Sequence, residues 1–267
     1  MSMNYFLFNS DIELAKAVDN ILKIDTFYID LEVIGKEQRQ HNRNTLISYH
    51  NLNDITKIRN VISNTLLGVR TNPLNKNSTS EINSCIDRGA DVLMLPMFKN
   101  LEEVEEFIRI IDNRCFIDLL IETPEALSFV NKLPFKKIRF IHFGINDLSI
   151  AFDYKIMFKM YFEENLKNAT NFLKENKIPF GIGGIGSYNA EPFSPHLIFS
   201  AAISHGAKRI ILSRSFLSNI NKSRICESFK QNLNLLNSIY CELKLLDDIS
   251  INKNLHIFKG EIDKRII

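Results

Sequence analysis

The chain has 267 residues, enough for one large domain or two small ones and ample for a sizeable core. Apolar residues make up 45% and charged residues 24%, which excludes a disordered, collagen-like or low-complexity chain. With 33 basic and 31 acidic residues the net charge is +2, so no whole-chain field argues for a nucleic-acid or membrane partner.

The longest apolar runs, such as VLMLPMF at 92–98, fall far short of the roughly 20 residues of a membrane helix. The opening MSMNYFLFNSDIELAK lacks a positive n-region and meets Asp11 and Glu13 before an apolar stretch of signal length can form. A cytoplasmic protein is expected. Cys85, Cys115, Cys226 and Cys241 show no Cys-x-x-Cys spacing and are too few for a disulfide framework, so they read as reduced and mostly structural.

Along the chain, short β-branched or aromatic runs alternate with segments of helical period, the pattern of a parallel sheet covered by helices. Strands are predicted at 4–8, 26–31, 66–71, 92–97, 115–121, 139–145, 178–183 and 208–213. Helices are predicted near 11–22, 53–63, 79–88, 101–111, 124–132, 155–174 and 195–205, with a longer one at 219–246. Asn9-Ser10-Asp11, Asn53-Asp54 and Ser78 or Thr79 with Glu81 are N-cap candidates, Pro124 suits a first helical turn, and Gly89 and Gly206 suit helix ends. Eight units favour a closed (β/α)8 TIM barrel over 1–218, with a helical extension at 219–267 that caps the barrel or docks on a neighbouring subunit.

In such a barrel the active site sits at the C-terminal ends of the strands. The polar residues there are Asp30 and Glu32; Arg70, Thr71 and Asn72; Glu122 and Thr123; Asn146, Asp147 and Ser149; and Ser213, Arg214 and Ser215. Glu122 and Asp147 end successive strands and suit a hard divalent cation, which one or two carboxylates hold with waters and substrate oxygens. As strand-end caps or ion-pair partners they would need no metal. Arg70 is a fixed cation able to grip a carboxylate or an enolate oxygen. FGIGGIG (180–186) ends the seventh strand instead of opening a nucleotide-binding unit, so with Arg214 it suggests an anion pocket at Gly184 or simple close packing.

The segments FYIDLE (27–32), GVRTNPL (68–74), GADVLMLPMFKNLEEVEEF (89–107), LLIETPEAL (119–127) and FGINDLS (143–149) together resemble the HpcH/HpaI aldolase and citrate lyase β-subunit family. They follow that family's order over most of the barrel. The resemblance implies a phosphoenolpyruvate/pyruvate-type barrel, Mg²⁺ or Mn²⁺ on Glu122 and Asp147, and Arg70 against the substrate carboxylate and developing enolate. It also implies a homo-oligomer, a trimer or hexamer, and carbon–carbon bond cleavage in a small 2-oxo (hydroxy) acid or a β-hydroxyacyl thioester.

One position departs from the pattern. Where the aldolase branch has Asp-x-Glu-His and the lyase branch Asp-Leu-Glu-Asp, this chain has Asp30-Leu31-Glu32-Val33. The polar loop that follows, with Lys36, Arg39, His41, Arg43 and His50, is the expected source of a substitute acid or base or of a basic grip. Asp30, Glu32 and His50 are therefore catalytic candidates beside Arg70, and Asn72, Gly184 and Arg214 substrate-binding candidates. Asp118, four residues before Glu122, is expected inside the barrel as an orienting group or the partner of a buried cation, and His142 as a core histidine. A repurposed, non-catalytic barrel that binds an anionic metabolite is the rival reading.

Overall fold

A computed structural model describes residues 3–21, 23–36, 50–189 and 192–266. The apolar runs form strands β1 (Asn4–Phe8), β2 (Ile24–Asp30), β3 (Leu66–Arg70), β4 (Val92–Leu95), β5 (Phe116–Ile121), β6 (Phe140–Phe143), β7 (Phe180–Ile185) and β8 (Arg209–Leu212). Each pairs in parallel with its sequence neighbours, and β8 closes onto β1, leaving no edge strand. The fold is thus a (β/α)8 TIM barrel.

The helices are α1 (Ile12–Val18), α2 (Leu52–Arg59), α3 (Ser78–Asp87), α4 (Leu101–Ile111), α5 (Pro124–Ser128), α6 (Ile145–Ala151), α7 (Glu164–Glu175), α8 (Pro195–His205), α9 (Arg214–Ser218), α10 (Ile225–Lys244) and α11 (Asp248–Lys264). Among the described residues no helix is long and apolar enough to cross a membrane. Asp11 caps α1 by accepting the Leu14 N–H and Pro124 opens α5, as the sequence suggests, and Thr123 caps α5 by accepting the Ala126 N–H.

Other boundaries move. The α2 cap is Asn51, with Asp54 reciprocating onto the Asn51 N–H, because a capping box satisfies two orphan donors at once. Asn77 precedes α3 and makes no side-chain cap bond; Ser78 instead accepts the Asn75 N–H. The helix expected over 155–174 splits into a 3-10 segment, Met157–Phe162, and α7, with extended backbone at Glu163 between them. The strand expected over 139–145 ends at Phe143, and Ile145–Ala151, with Asn146, Asp147 and Ser149 expected just past the strand, forms α6, whose Ile145 and Leu148 are spaced to bury on one face.

The C-terminal tail is a helix, α11, and it docks on its own barrel. Ile251, Phe258 and Ile262 are buried along one stripe. Phe258 enters an aromatic cluster, its ring centroid 5.2 Å from Phe193 and 5.8 Å from Phe158. Full burial of such a side chain stabilises by about 1.5–3 kcal/mol.

Inside the barrel, strand alternation aims Thr26, Tyr28 and Asp30 of β2, and Asp118 and Leu120 of β5 with Glu122 beyond it, toward the axis. Phe6, Tyr28, Val92, Met94 and Leu120 make an apolar layer across the middle. Gly68 pairs opposite Tyr28, and a Cβ there would lie 2.3 Å from the Tyr28 ring, so glycine is what lets the tyrosine fit.

Below that layer lies a charged floor. Asp118 accepts Arg139 Nη2 at 2.6 Å, Arg209 Nη1 at 2.8 Å and the Tyr28 hydroxyl. Arg209 also donates to Asp25 and Thr26 and packs over the Phe6 ring. Burial opposes ionisation of Asp118, yet Arg209 and Arg139 overcome it and hold the carboxyl below its ordinary range. His142 is the core histidine expected: Nε2 donates to the Gly183 carbonyl at 3.0 Å, and burial, then Arg209, push it down to about 3, leaving it neutral.

Candidate functional site

β2 and β3 pair in register with Asp30 opposite Arg70, so the parallel ladder delivers an acid and a guanidinium to the mouth side by side. Arg70 Nε donates to Asp30 Oδ1 at 2.9 Å and Nη2 to Oδ2 at 2.8 Å, a bidentate pair that fixes the guanidinium plane. Arg70 Nη1 lies 3.3 Å from Glu32 Oε2. Lys36, from the loop after β2, donates to Asp30 Oδ2 at 2.7 Å and is itself buried. Burial alone would raise the Asp30 pKa, but Arg70 and Lys36 hold it well below the carboxylate range.

His50 reaches the same hub, with a different role from the one expected. Its Nδ1 accepts the Asp30 backbone N–H at 2.9 Å, which leaves the proton on Nε2. Burial lowers its pKa, against the pull of Asp30 and Asp54. A neutral imidazole with its lone pair already engaged is a hydrogen-bond donor at Nε2, not a poised base.

Phe8, at the end of β1, lies 4.9 Å under the Arg70 guanidinium and backs it with a cation–π contact. Phe8, Asp30, Arg70, Ile211, Leu212, Ser213 and Arg214 line a cavity of about 130 Å³ at the barrel mouth. Arg214 of α9 therefore shares a cavity with Arg70. Gly184 lines a neighbouring cavity of about 130 Å³, with Gly186, Ser213, Ser215 and the apolar Phe158 and Phe193, and is thus on a different wall from Arg70.

Glu122 follows β5 and is buried, with Oε1 accepting the Met97 N–H at 3.2 Å. Met97 has φ +55, a left-handed conformation unusual for a non-glycine residue, and it aims that N–H at the carboxylate. Gly144 makes the other wall: a Cβ there would come within 3.0 Å of Glu122 Oε2. Asp147 is half-buried in the first turn of α6, one β/α unit further round, and Glu122 lies in the field of Arg70.

These donors fit a magnesium-like ion in kind. Two carboxylates in adjacent units offer hard oxygen ligands, and Mg²⁺ or Mn²⁺ completes its shell with waters and substrate oxygens. Among the described residues no set of three His, Cys, Asp or Glu side chains converges as a metal cage, so a softer ion that demands thiolate or imidazole has no such set here.

Asn72 has a structural task. Its Oδ1 accepts the Val33 and Ile34 N–H groups at 2.9 and 3.0 Å, and its Nδ2 donates to Glu81 at 3.1 Å. The amide is a bracket between the β2 loop and α3, and a substrate-binding role would have to break it. Arg39, His41 and Arg43 lie outside the described residues. Phe8 and Met97 went unnoticed in the sequence, since an aromatic strand end and a left-handed methionine carry no local mark. Lys36 was legible only as one of several loop cations. Compared with known protein families and with curated protein sequences, the chain matches none.

Proposed function

We propose that the barrel mouth is the active site of a divalent-metal-dependent carbon–carbon lyase, an aldolase of the HpcH/HpaI kind, acting on a small 2-oxo (hydroxy) acid. The observation that carries the reading is Arg70, clamped by Asp30 at a strand end and facing a small cavity, with the buried Glu122 in its field. Glu122 and Asp147 would hold the ion, whose contribution when bound is Lewis-acid polarisation of the substrate carbonyl.

The chain's own groups supply the rest. Arg70 takes the substrate carboxylate and the negative charge that grows as the bond breaks, and needs no reorganisation because Asp30 already fixes its plane. Phe8 shields the guanidinium from water on one face. The base is not His50 in this arrangement, which leaves Glu32 or positions 37–49, outside the described residues. A cavity of about 130 Å³ favours a short free acid over a coenzyme A thioester, since sites for drug-sized ligands run to about 300–1,000 Å³. A homo-oligomer, a trimer or hexamer, belongs to the same proposal and is measured by sedimentation.

The test is exchange of the pyruvate methyl protons in D₂O with Mg²⁺ or Mn²⁺ present. Exchange that disappears in Arg70→Lys supports the enolate chemistry; no exchange by the native protein removes its main support. A second reading, a non-catalytic barrel that binds an anionic metabolite, is favoured by the engagement of Arg70 with both Asp30 and Glu32 and by the occupied lone pair of His50. Pyruvate or oxalate binding without exchange would select it.

A further inference from the structure

The loop after β2 brings to the mouth a cation that the chemistry above does not use. Lys36 Nζ lies 2.7 Å from Asp30 Oδ2, and the same oxygen accepts Arg70 Nη2 at 2.8 Å, so two cations share one carboxylate oxygen. Lys36 is also 3.8 Å from Glu32 Oε2, which sits 3.3 Å from Arg70 Nη1. Two acids are thus divided between two bases. All four are largely buried, where salt screens little.

The division matters because Arg70 and Asp30 line the cavity with Phe8, Ser213 and Arg214, whereas Lys36 and Glu32 are not among its lining residues. With a neutral residue at 36, Asp30 and Glu32 would both draw on Arg70, and one positive charge fewer would face an incoming anion, Arg214 being the other cation beside Asp30. The lysine is delivered by its own segment: Asn72 holds the Val33 and Ile34 N–H groups, and Lys36 N donates to the Val33 carbonyl at 3.2 Å.

We propose that Lys36 is a positioning residue which, by taking a share of Asp30 and Glu32, leaves the Arg70 guanidinium able to bind one carboxylate group of a small acid. The inference rests on the carboxylate-binding role given to Arg70 above. Lys36 itself does not touch the substrate. Its charge, not its shape, is what counts, so arginine substitutes for it and methionine or glutamine does not.

The test uses the whole protein with oxalate as probe and Mg²⁺ present. Calorimetry should show oxalate affinity reduced at least about tenfold in Lys36→Met and in Lys36→Gln, and restored to within about threefold in Lys36→Arg. Thermal melts run alongside identify any variant that fails to fold, and the two neutral variants back each other up. A ligand-free readout is the ¹⁵N resonance of the Arg70 Nε–H, assigned by its loss in Arg70→Lys. It should shift in the neutral variants and return in Lys36→Arg. Native-like oxalate affinity in the neutral variants, or affinity in Lys36→Arg as weak as theirs, overturns the proposal. If oxalate fails to bind the native protein, the anion-site reading falls instead, and an unmoved Arg70 resonance in Lys36→Met then overturns the role of Lys36 by itself.

Discussion

Among the described residues the barrel holds two ionic quartets, each of two bases and two acids. At the floor, Arg209 and Arg139 balance Asp118 and Asp25; at the mouth, Arg70 and Lys36 balance Asp30 and Glu32. Their surroundings differ. The floor is roofed by the Phe6–Tyr28–Leu120 layer, and Arg209 is wholly buried between the Phe6 and Phe140 rings. Arg70 has one ring beneath it and a cavity beside it. The floor is therefore an interaction that stays closed, while the mouth keeps a fixed cation next to space that a ligand can fill. Burial and pairing alone do not mark an active site; the space beside the pair does.

The sharpest way to break that contrast is Asp118→Ala. It leaves half-buried Arg139 and the Tyr28 hydroxyl without their acid and buried Arg209 with Asp25 alone, and should cost about 3–5 kcal/mol by denaturant unfolding. Asp118→Ala melting like the native protein would show that the floor is not structural.

Acid should act on the buried His142 before it acts on Asp30. The His142 pKa is about 3 in the folded chain against an ordinary value near 6.5, so within that window the unfolded chain binds a proton that the folded chain refuses. Stability then falls with pH, by about 1.4 kcal/mol per unit for this one group, starting near pH 6.5. Asp30, whose pKa is lowered, contributes stability above about pH 4 and loses it only as pH drops further through its folded value. Melting temperature measured from pH 7 to pH 4 should therefore decline early, and His142→Gln should make the decline shallower, leaving the share of buried His205, whose pKa burial lowers to about 4.

Gly68→Ala drives a methyl into the Tyr28 ring and should cost about 1–3 kcal/mol while leaving oxalate affinity alone. A change in affinity there would mean that the apolar layer couples the two quartets. At the mouth the pattern inverts. Glu122→Gln keeps the contact with Met97, so it should barely move the melting temperature yet lower Mn²⁺ affinity by at least about tenfold in calorimetry. Unchanged affinity would end its assignment as a metal ligand. The smallest effect is expected of Phe8→Leu, where loss of the cation–π contact should weaken oxalate binding by about 0.5–1 kcal/mol with little loss of stability.

Much of this was legible beforehand because it depends on local chemistry. The β1 run NYFLF is a strand over the residues predicted, and α4 matches its predicted span, since both carry strong periodicity and clear ends. The places of Asp30, Arg70 and Glu122 at the ends of β2, β3 and β5 were legible because apolar runs with polar ends mark strands, and a parallel barrel puts those ends on one face. The failures share another cause. Asn72 turns into a bracket and His50 turns its lone pair to Asp30, each through a partner distant in sequence that no local pattern reports.

By itself the sequence determined eight strands, their order, and the strand-end positions of Asp30, Arg70 and Glu122, because alternation and punctuation act over a few residues. Only the tertiary structure decided that Asp118 holds Arg139 and Arg209 at the floor, that Lys36 joins Arg70 on Asp30, and that α11 packs on its own barrel. These outcomes are set by ladder register, by the space left at Gly68 and Gly144, and by competition among buried charges for few partners. Each of those terms exists only when strands far apart in the chain are brought side by side.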